Sequence, residues 1–416
     1  MGRVRFLYVK DCLENIFYEY VFYVEVVVCS LYLIFVYLFL SLFLSGFSFA
    51  DQGITEDQIL IGMHTDLSGP ASMIGKQSVD GVNMRIDEFN QAGGAHGRTI
   101  KFIVEDHQYT VPRAVQAANK LLRKDKIGFM LGSLGTPMNN AVMSDQLSMN
   151  IPSLFPLTAA RSMFEPYDRL KFTSGSTYYD QIRTGLKYLI ENNNRKSVCV
   201  LYEDTDFGQE IVDAVDDQLA AMNMTLVESA SAKPTDTDFT AQIKKLNNAG
   251  CDLVAMGTIV RTTILPFMKA KEINWTDVDF VTTSASYYTV VAEQPNGVMN
   301  GLYCLNSVVF PYYDTANEIE KKWWDKFKSI YATDPNTGAI YGYIFADIVV
   351  EAIERAGKDL TVDSFIEAME TLKDYEDPLK LGSVTFNPDQ RQGSNISYFF
   401  QVQNERFEVI SGPINY

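Results

Sequence analysis

The chain has 416 residues, of which 47% are apolar, 12% aromatic and 21% charged, with a formal net charge of −17. That is enough apolar material for two packed cores of ordinary domain size, and the modest Gly and Pro content excludes a disordered or fibrous chain. The acidic balance disfavours nucleic acid and anionic membrane surfaces as partners, while leaving open what an internal cleft binds.

The first fifty residues differ from the rest. From Val26 to Ala50 there is no charged side chain, and the run ends in Ser48-Phe49-Ala50, with small residues at the two positions a signal peptidase inspects. Export to the periplasm with cleavage after Ala50 is therefore the expectation. An uncleaved membrane anchor is the alternative, because about 20 apolar residues span a bilayer and Arg3, Arg5 and Lys10 are mixed with Asp11, Glu14, Glu19 and Glu25. Either way the folded part sits outside the cytoplasm. Removing residues 1–50 leaves 32 basic against 48 acidic residues, a net charge of −16, and three cysteines, Cys199, Cys251 and Cys304. These lie far apart in apolar stretches, so buried free thiols are expected rather than a disulfide framework or a metal site.

Beyond residue 50, runs of Val, Ile, Leu and Phe alternate with segments of helical period, the pattern of a parallel sheet covered by helices on both faces. Strands are expected at Ile59 to Met63, Lys101 to Val104, Phe129 to Leu131, Pro152 to Leu154, Val198 to Tyr202, Leu253 to Met256 and Phe280 to Thr282. The helix near Ser78 to Gln91 carries Val79, Val82, Ile86 and Phe89 on one stripe, and the next carries Ala114, Ala117, Ala118, Leu121 and Leu122. The stripe at Ile211, Val215, Leu219 and Met222 repeats the pattern. Two βαβαβ sets thus begin near Ile54 and near Arg195. Helical segments follow at Glu318 to Tyr331 and Ile340 to Ala356, then β signatures at Val384 to Phe386, Tyr398 to Val402 and Phe407 to Ile410.

Signatures of common enzymes are missing: no dinucleotide or nucleotide glycine loop, no metal-binding His-Glu-x-x-His or Cys-x-x-Cys, and no nucleophile elbow. His64, His96 and His107 sit in or beside the first two β/α connections, where surface or structural roles are expected. Ligands of open α/β sheets bind at the carboxyl ends of strands. There, Gly132-Ser133-Leu134-Gly135-Thr136-Pro137 follows a strand and opens a helix, with Thr136 as the expected N-cap and Pro137 in the first helical position. Such a start suits a carboxylate or other anion, and Thr136 could serve the cap, the ligand or both. Phe155 to Ala160 offers small residues and the Thr158 hydroxyl. Tyr202 to Gly208 opens the second set, with Phe207 either a lid or a staple on its own helix; Tyr178 and Tyr179 suit a cleft or a hinge.

With these segments in order, the chain resembles the leucine/isoleucine/valine-binding family of periplasmic proteins. The likeness rests on Ile59 to Gly62 leading to Leu67-Ser68-Gly69-Pro70, on Asn90 to Gly94 with Gly97-Arg98, on Glu105-Asp106, on the Gly132 to Pro137 turn, on Pro156 to Ala160, and on Asp206-Phe207-Gly208. The resemblance implies an α/β type I periplasmic-binding fold, two Rossmann-like lobes with parallel sheets joined by a three-segment hinge. Lobe one would hold residues 54–176 and 306–386, and lobe two 177–305 and 387–416. It further implies a small-molecule receptor of an inner-membrane ABC permease, without metal or cofactor and without catalysis.

In the family, the turn matching Gly135-Thr136 and the segment matching Thr158 to Ala160 hold the ligand's α-carboxylate and part of its ammonium, and the aromatic matching Phe207 commonly packs on the ligand from lobe two. The candidate contacts extend to Ser68, Ser133 and Leu157 in lobe one, to Tyr178 at the crossover, and to Thr258, Arg261 and Ser284 in lobe two. One departure bears on the ligand. Acidic groups that meet an α-ammonium in the family are replaced by Ser284 and Thr177, and an unpaired buried charge is costly. Arg261 would either clamp a second carboxylate or lie solvated on its helix. An amide or an aliphatic or aromatic carboxylate therefore stands beside an amino acid as the expected ligand. The alternative readings are a ligand sensor using the same cleft and a secreted enzyme working through Asp204 and Asp206.

Overall fold

The computed structural model describes residues 51–416, together with the isolated positions 20, 23, 28, 30, 32, 35 and 36. The expected cleavage after Ala50, and the alternative anchor, fall on a segment lying otherwise outside the described residues.

The first half builds strands β1 (Gln58–Thr65), β2 (Thr99–Asp106), β3 (Phe129–Leu131), β4 (Ser153–Leu154) and β5 (Lys171–Phe172), with helices α1 (Ser72–Gln91), α2 (Val111–Asn119) and α3 (Thr136–Ser148) between them. The second builds α4 (Tyr178–Asn192), β6 (Val198–Glu203), α5 (Asp206–Ala221), β7 (Glu228–Ala232), α6 (Thr240–Asn248), β8 (Leu253–Gly257), α7 (Val260–Glu272), β9 (Asp279–Thr282) and β10 (Tyr303–Asn306). The chain then adds α8 (Glu318–Tyr331), α9 (Thr337–Ala356), α10 (Val362–Glu370), the short hairpin β11 (Tyr375–Glu376) and β12 (Ser383–Val384), and finally β13 (Ile396–Gln403) and β14 (Arg406–Asn415).

The strands form a parallel sheet in the order β2-β1-β3-β4-β5 and a seven-stranded sheet in the order β14-β13-β10-β9-β8-β6-β7. The latter is parallel from β7 to β10 and antiparallel where β13 and β14 join. Each sheet with its helices is one lobe of an α/β type I periplasmic-binding fold. Helix α1 begins at Ser72, six residues before the expected start, because the turn at Gly69–Ala71 already feeds it: the Asp66 carboxylate accepts the N–H groups of Ser68, Gly69 and Ala71.

Helices α1 and α9 pack against each other through glycine. A Cβ on Gly81 would lie 2.1 Å from the Ala339 carbonyl oxygen, and one on Gly342 would lie 2.1 Å from that of Ser78. Lacking side chains, both positions let the backbones approach within the spacing that ridges into grooves otherwise sets. The chain passes between the lobes near Ser176, Ser307 and Ser397. The Ser176 hydroxyl lies 3.1 Å from that of Ser307 and 2.5 Å from that of Ser397, so one oxygen ties the passing segments together.

The cysteines correct one expectation. Cys199 and Cys251 form a disulfide, with their Cα atoms 5.9 Å apart, whereas Cys304 is buried and free. Sequence distance misled here: β6 and β8 are neighbours in register, Val198 beside Leu253, which brings two cysteines 52 residues apart within bonding reach.

Candidate ligand cleft

Each sheet reverses the direction in which strands are added, the first between β1 and β3 and the second between β6 and β8. Connections leaving the carboxyl ends at such a point diverge and open a crevice. Here both crevices contribute to one cavity of about 400 Å³, within the range of about 300–1,000 Å³ typical of small-molecule sites.

The first lobe supplies Leu134, Gly135 and Thr136 after β3, and Pro156 to Ala160 after β4. Gly135, with φ 95°, adopts a backbone that a side chain would strain. It is the N-cap residue of α3, with Thr136 and Pro137 following as the first two helical positions, so the expected cap at Thr136 is shifted by one. Relieved of capping, the Thr136 hydroxyl lies 2.6 Å from that of Thr158. Leu157 closes the arrangement by donating its N–H to the Ser133 carbonyl.

The second lobe supplies Tyr178, Phe207, Ile259, Ser284, Ala285 and Tyr288. Phe207 is buried edge-to-face against Tyr178, with ring centroids 4.9 Å apart, and so forms cavity wall. Burial pushes the Tyr178 phenol up to about 12, against the opposing pull of hydrogen bonds to the Ala159 backbone and Thr158. Thr177 caps α4 by accepting the N–H of Asp180, and the Ser284 N–H donates to Gln181 Oε1. Across the cleft mouth Asn140 donates to Asp206, and Glu210 accepts from the Arg161 N–H and guanidinium. Burial raises the Glu210 carboxyl to about 7 despite that pairing.

Of the twelve residues singled out from the sequence, Gly135, Thr136, Leu157, Thr158, Ala160, Tyr178, Phe207 and Ser284 line the cavity. The other four stand apart from it. Ser68 is exposed and donates to Asp106. Ser133 is buried behind the turn, where it accepts the His64 N–H. Thr258 is buried in a chain of hydroxyls with Thr263 and Ser286, and the next residue, Ile259, reaches the cavity instead. Arg261 is exposed at the start of α7, the solvated alternative. Asp204 and Asp206 are exposed and outside the wall, so the pair invoked for an enzyme does not face the cavity.

Sequence reasoning missed Tyr109, Tyr288, Tyr341, Phe345 and the segment from Tyr375 to Val384. Tyr341 and Phe345 lie on an apolar helix face indistinguishable from core, and the hairpin carries no motif. His64 is fully buried with neither ring nitrogen partnered, its ring 5.5 Å from that of His107. His96 is exposed, while His107 accepts the Tyr109 N–H on Nδ1 and meets the Leu134 carbonyl through Nε2. Behind the second lobe's wall lies a group the sequence did not flag. Glu203 is fully buried at the end of β6; one carboxyl oxygen accepts from Thr262 and the other has no partner. Burial raises this carboxyl to about 7. Among the described residues no cluster could hold a metal ion.

The profile of a family described as periplasmic binding protein matches residues 58–406. A protein named Leu/Ile/Val-binding protein homolog 3, from Brucella melitensis, is 28% identical over 200 residues, covering 48% of this chain and 54% of its own. The match spans about half the length of such curated relatives. Among solved structures, a fatty acid ABC transporter substrate-binding protein from Thermomonospora curvata superposes with TM-score 0.79 at 21% identity, covering 88% of this chain and 95% of its own. A branched chain amino acid ABC transporter from Thermus thermophilus with bound valine also superposes at 0.79, with 17% identity and coverage of 87% and 98%. At such identities the likeness is one of fold.

Proposed function

The chain belongs to the periplasmic binding protein family, and on that premise we propose that it is an exported solute receptor whose lobes close on a small carboxylate- or amide-bearing molecule and deliver it to an inner-membrane ABC permease. The observation carrying this reading is the shared wall: Thr136 and Thr158 from one lobe and Phe207 and Ser284 from the other line a single cavity. A ligand touching both lobes stabilises the closed arrangement by its differential affinity for it, which is the condition for a hinge-type switch. At the carboxylate end, α3 begins at the wall, where first-turn N–H groups lack intrahelical acceptors.

The two structural neighbours carry names with different ligands, so fold leaves the ligand open. Among the described residues, the cavity's two lining carboxylates, Glu376 and Asp377, belong to the β11–β12 hairpin, and the connections carrying Thr136, Thr158 and Ser284 add none to meet an α-ammonium, which favours an acid or amide over an amino acid. A thermal-shift screen against leucine, acetamide, phenylacetate and octanoate tests this. A ligand at about 100 times its Kd adds about 2.7 kcal/mol of stability. A shift with the acids or amide and none with leucine is expected; a shift with leucine alone overturns the ligand class, and no shift with any of them overturns the receptor reading.

A further inference from the structure

Away from the cleft, the cavity runs on into an arm within the first lobe. Its floor is one face of α9, where Tyr341, Ile344, Phe345 and Ile348 recur at helical spacing. Its roof is the β11–β12 hairpin, which contributes Tyr375, Leu381 and Val384. Several polar groups near this arm are already occupied, whereas the buried Thr173 hydroxyl on the same cavity wall has no partner. The Tyr341 hydroxyl donates to Asn306 and that of Tyr375 to Asp347, so each presents its ring. Asp377 is buried in the hairpin turn and accepts the N–H groups of Leu379, Leu381 and Gly382. Glu376 and Lys380 also line the cavity and are exposed to solvent.

A floor and roof built mainly from Tyr341, Ile344, Phe345, Ile348, Leu381 and Val384 offer water few partners, and apolar surfaces of this kind take an apolar guest. The hydroxyl pair at one end and the apolar arm at the other describe an amphiphile. At roughly 30 Å³ per water-sized group, about 400 Å³ also accommodates more than a free aliphatic amino acid fills. We propose that the arm between α9 and the β11–β12 hairpin receives a hydrocarbon tail, making the ligand a monocarboxylate with an extended apolar chain. This rests on the receptor reading above and narrows it to a substrate class.

The test is calorimetry on the purified protein with straight-chain carboxylates from butanoate to decanoate, with leucine alongside. Each buried methylene contributes about 0.8 kcal/mol, or about fourfold in Kd. Octanoate should therefore bind about two hundred-fold tighter than butanoate. Val384→Trp and Leu381→Trp, two independent intrusions from the roof, should collapse that ratio toward unity. The ratio is internal to each variant and insensitive to lost stability. Leucine binding with an unchanged Kd along the carboxylate series overturns the tail inference and leaves the receptor reading standing. A steep series that both Trp variants leave unaltered overturns the placement in the arm. Failure of every compound to bind overturns both readings.

Discussion

The hydroxyls of Thr136 and Thr158, 22 residues apart in sequence, lie 2.6 Å from each other at the cavity wall. One donates to the other, which leaves one hydroxyl hydrogen for a ligand oxygen. A hydrogen bond to a charged group is worth about 1.5–3 kcal/mol, so Thr136→Val and Thr158→Val should each weaken carboxylate binding by about ten- to hundred-fold. The double variant should cost less than the sum, because the two share one network. Calorimetry with octanoate measures all three.

Arg261 provides the contrasting expectation. Because it is exposed and outside the cavity wall, Arg261→Ala should leave the Kd within about twofold, as substitutions away from a site change energies by about 0.5 kcal/mol or less. A loss of tenfold or more would place its guanidinium on the ligand.

Glu203 makes stability depend on pH. Burial raises its carboxyl from 4.5 to about 7, so between those values the folded state holds a proton that the unfolded state has released, and stability falls as pH rises through that window. The shift corresponds to about 3 kcal/mol in full. Glu203→Gln should be more stable than the parent at pH 8 and similar to it at pH 4.5, with urea denaturation at the two pH values as the measurement. A parallel loss at both would mean that the carboxylate, rather than its burial, is what the site requires.

Gly342 and Gly81 set the distance between α9 and α1. A methyl at either position meets a carbonyl oxygen of the facing helix at 2.1 Å, and overpacking of this kind costs about 1–3 kcal/mol. Gly342→Ala should lower the denaturation midpoint accordingly. It should also weaken binding, since α9 floors the apolar arm.

The disulfide closes a span of 52 residues, for which chain entropy predicts about 4 kcal/mol. The double variant Cys199→Ser and Cys251→Ser should lose stability of that order, whereas Cys304→Ala should change little through redox, its thiol being buried and unpaired. Denaturation of parent and variants with and without a reductant separates the two effects.

How much of this was legible in the sequence follows from the range of the interactions involved. Strand and helix positions along the two βαβαβ sets were readable because period and burial are local properties: β1, β3, β6 and α5 coincide with runs such as Val198 to Tyr202 and the stripe from Ile211 to Leu219. The Gly135–Thr136 and Thr158–Ala160 connections were readable because a glycine-bearing strand-to-helix turn has a signature. The one-residue shift of the cap from Thr136 to Gly135 was not, since it follows from the backbone that Gly135 adopts, with φ 95°, which composition and period do not specify. Only tertiary structure could pair Cys199 with Cys251, turn Arg261 outward while Ile259 faces in, and set the hairpin from Tyr375 to Val384 over α9. Each of these depends on which strands become neighbours and on where a late segment folds back, and pairwise contacts across such separations leave no periodic trace in a single chain.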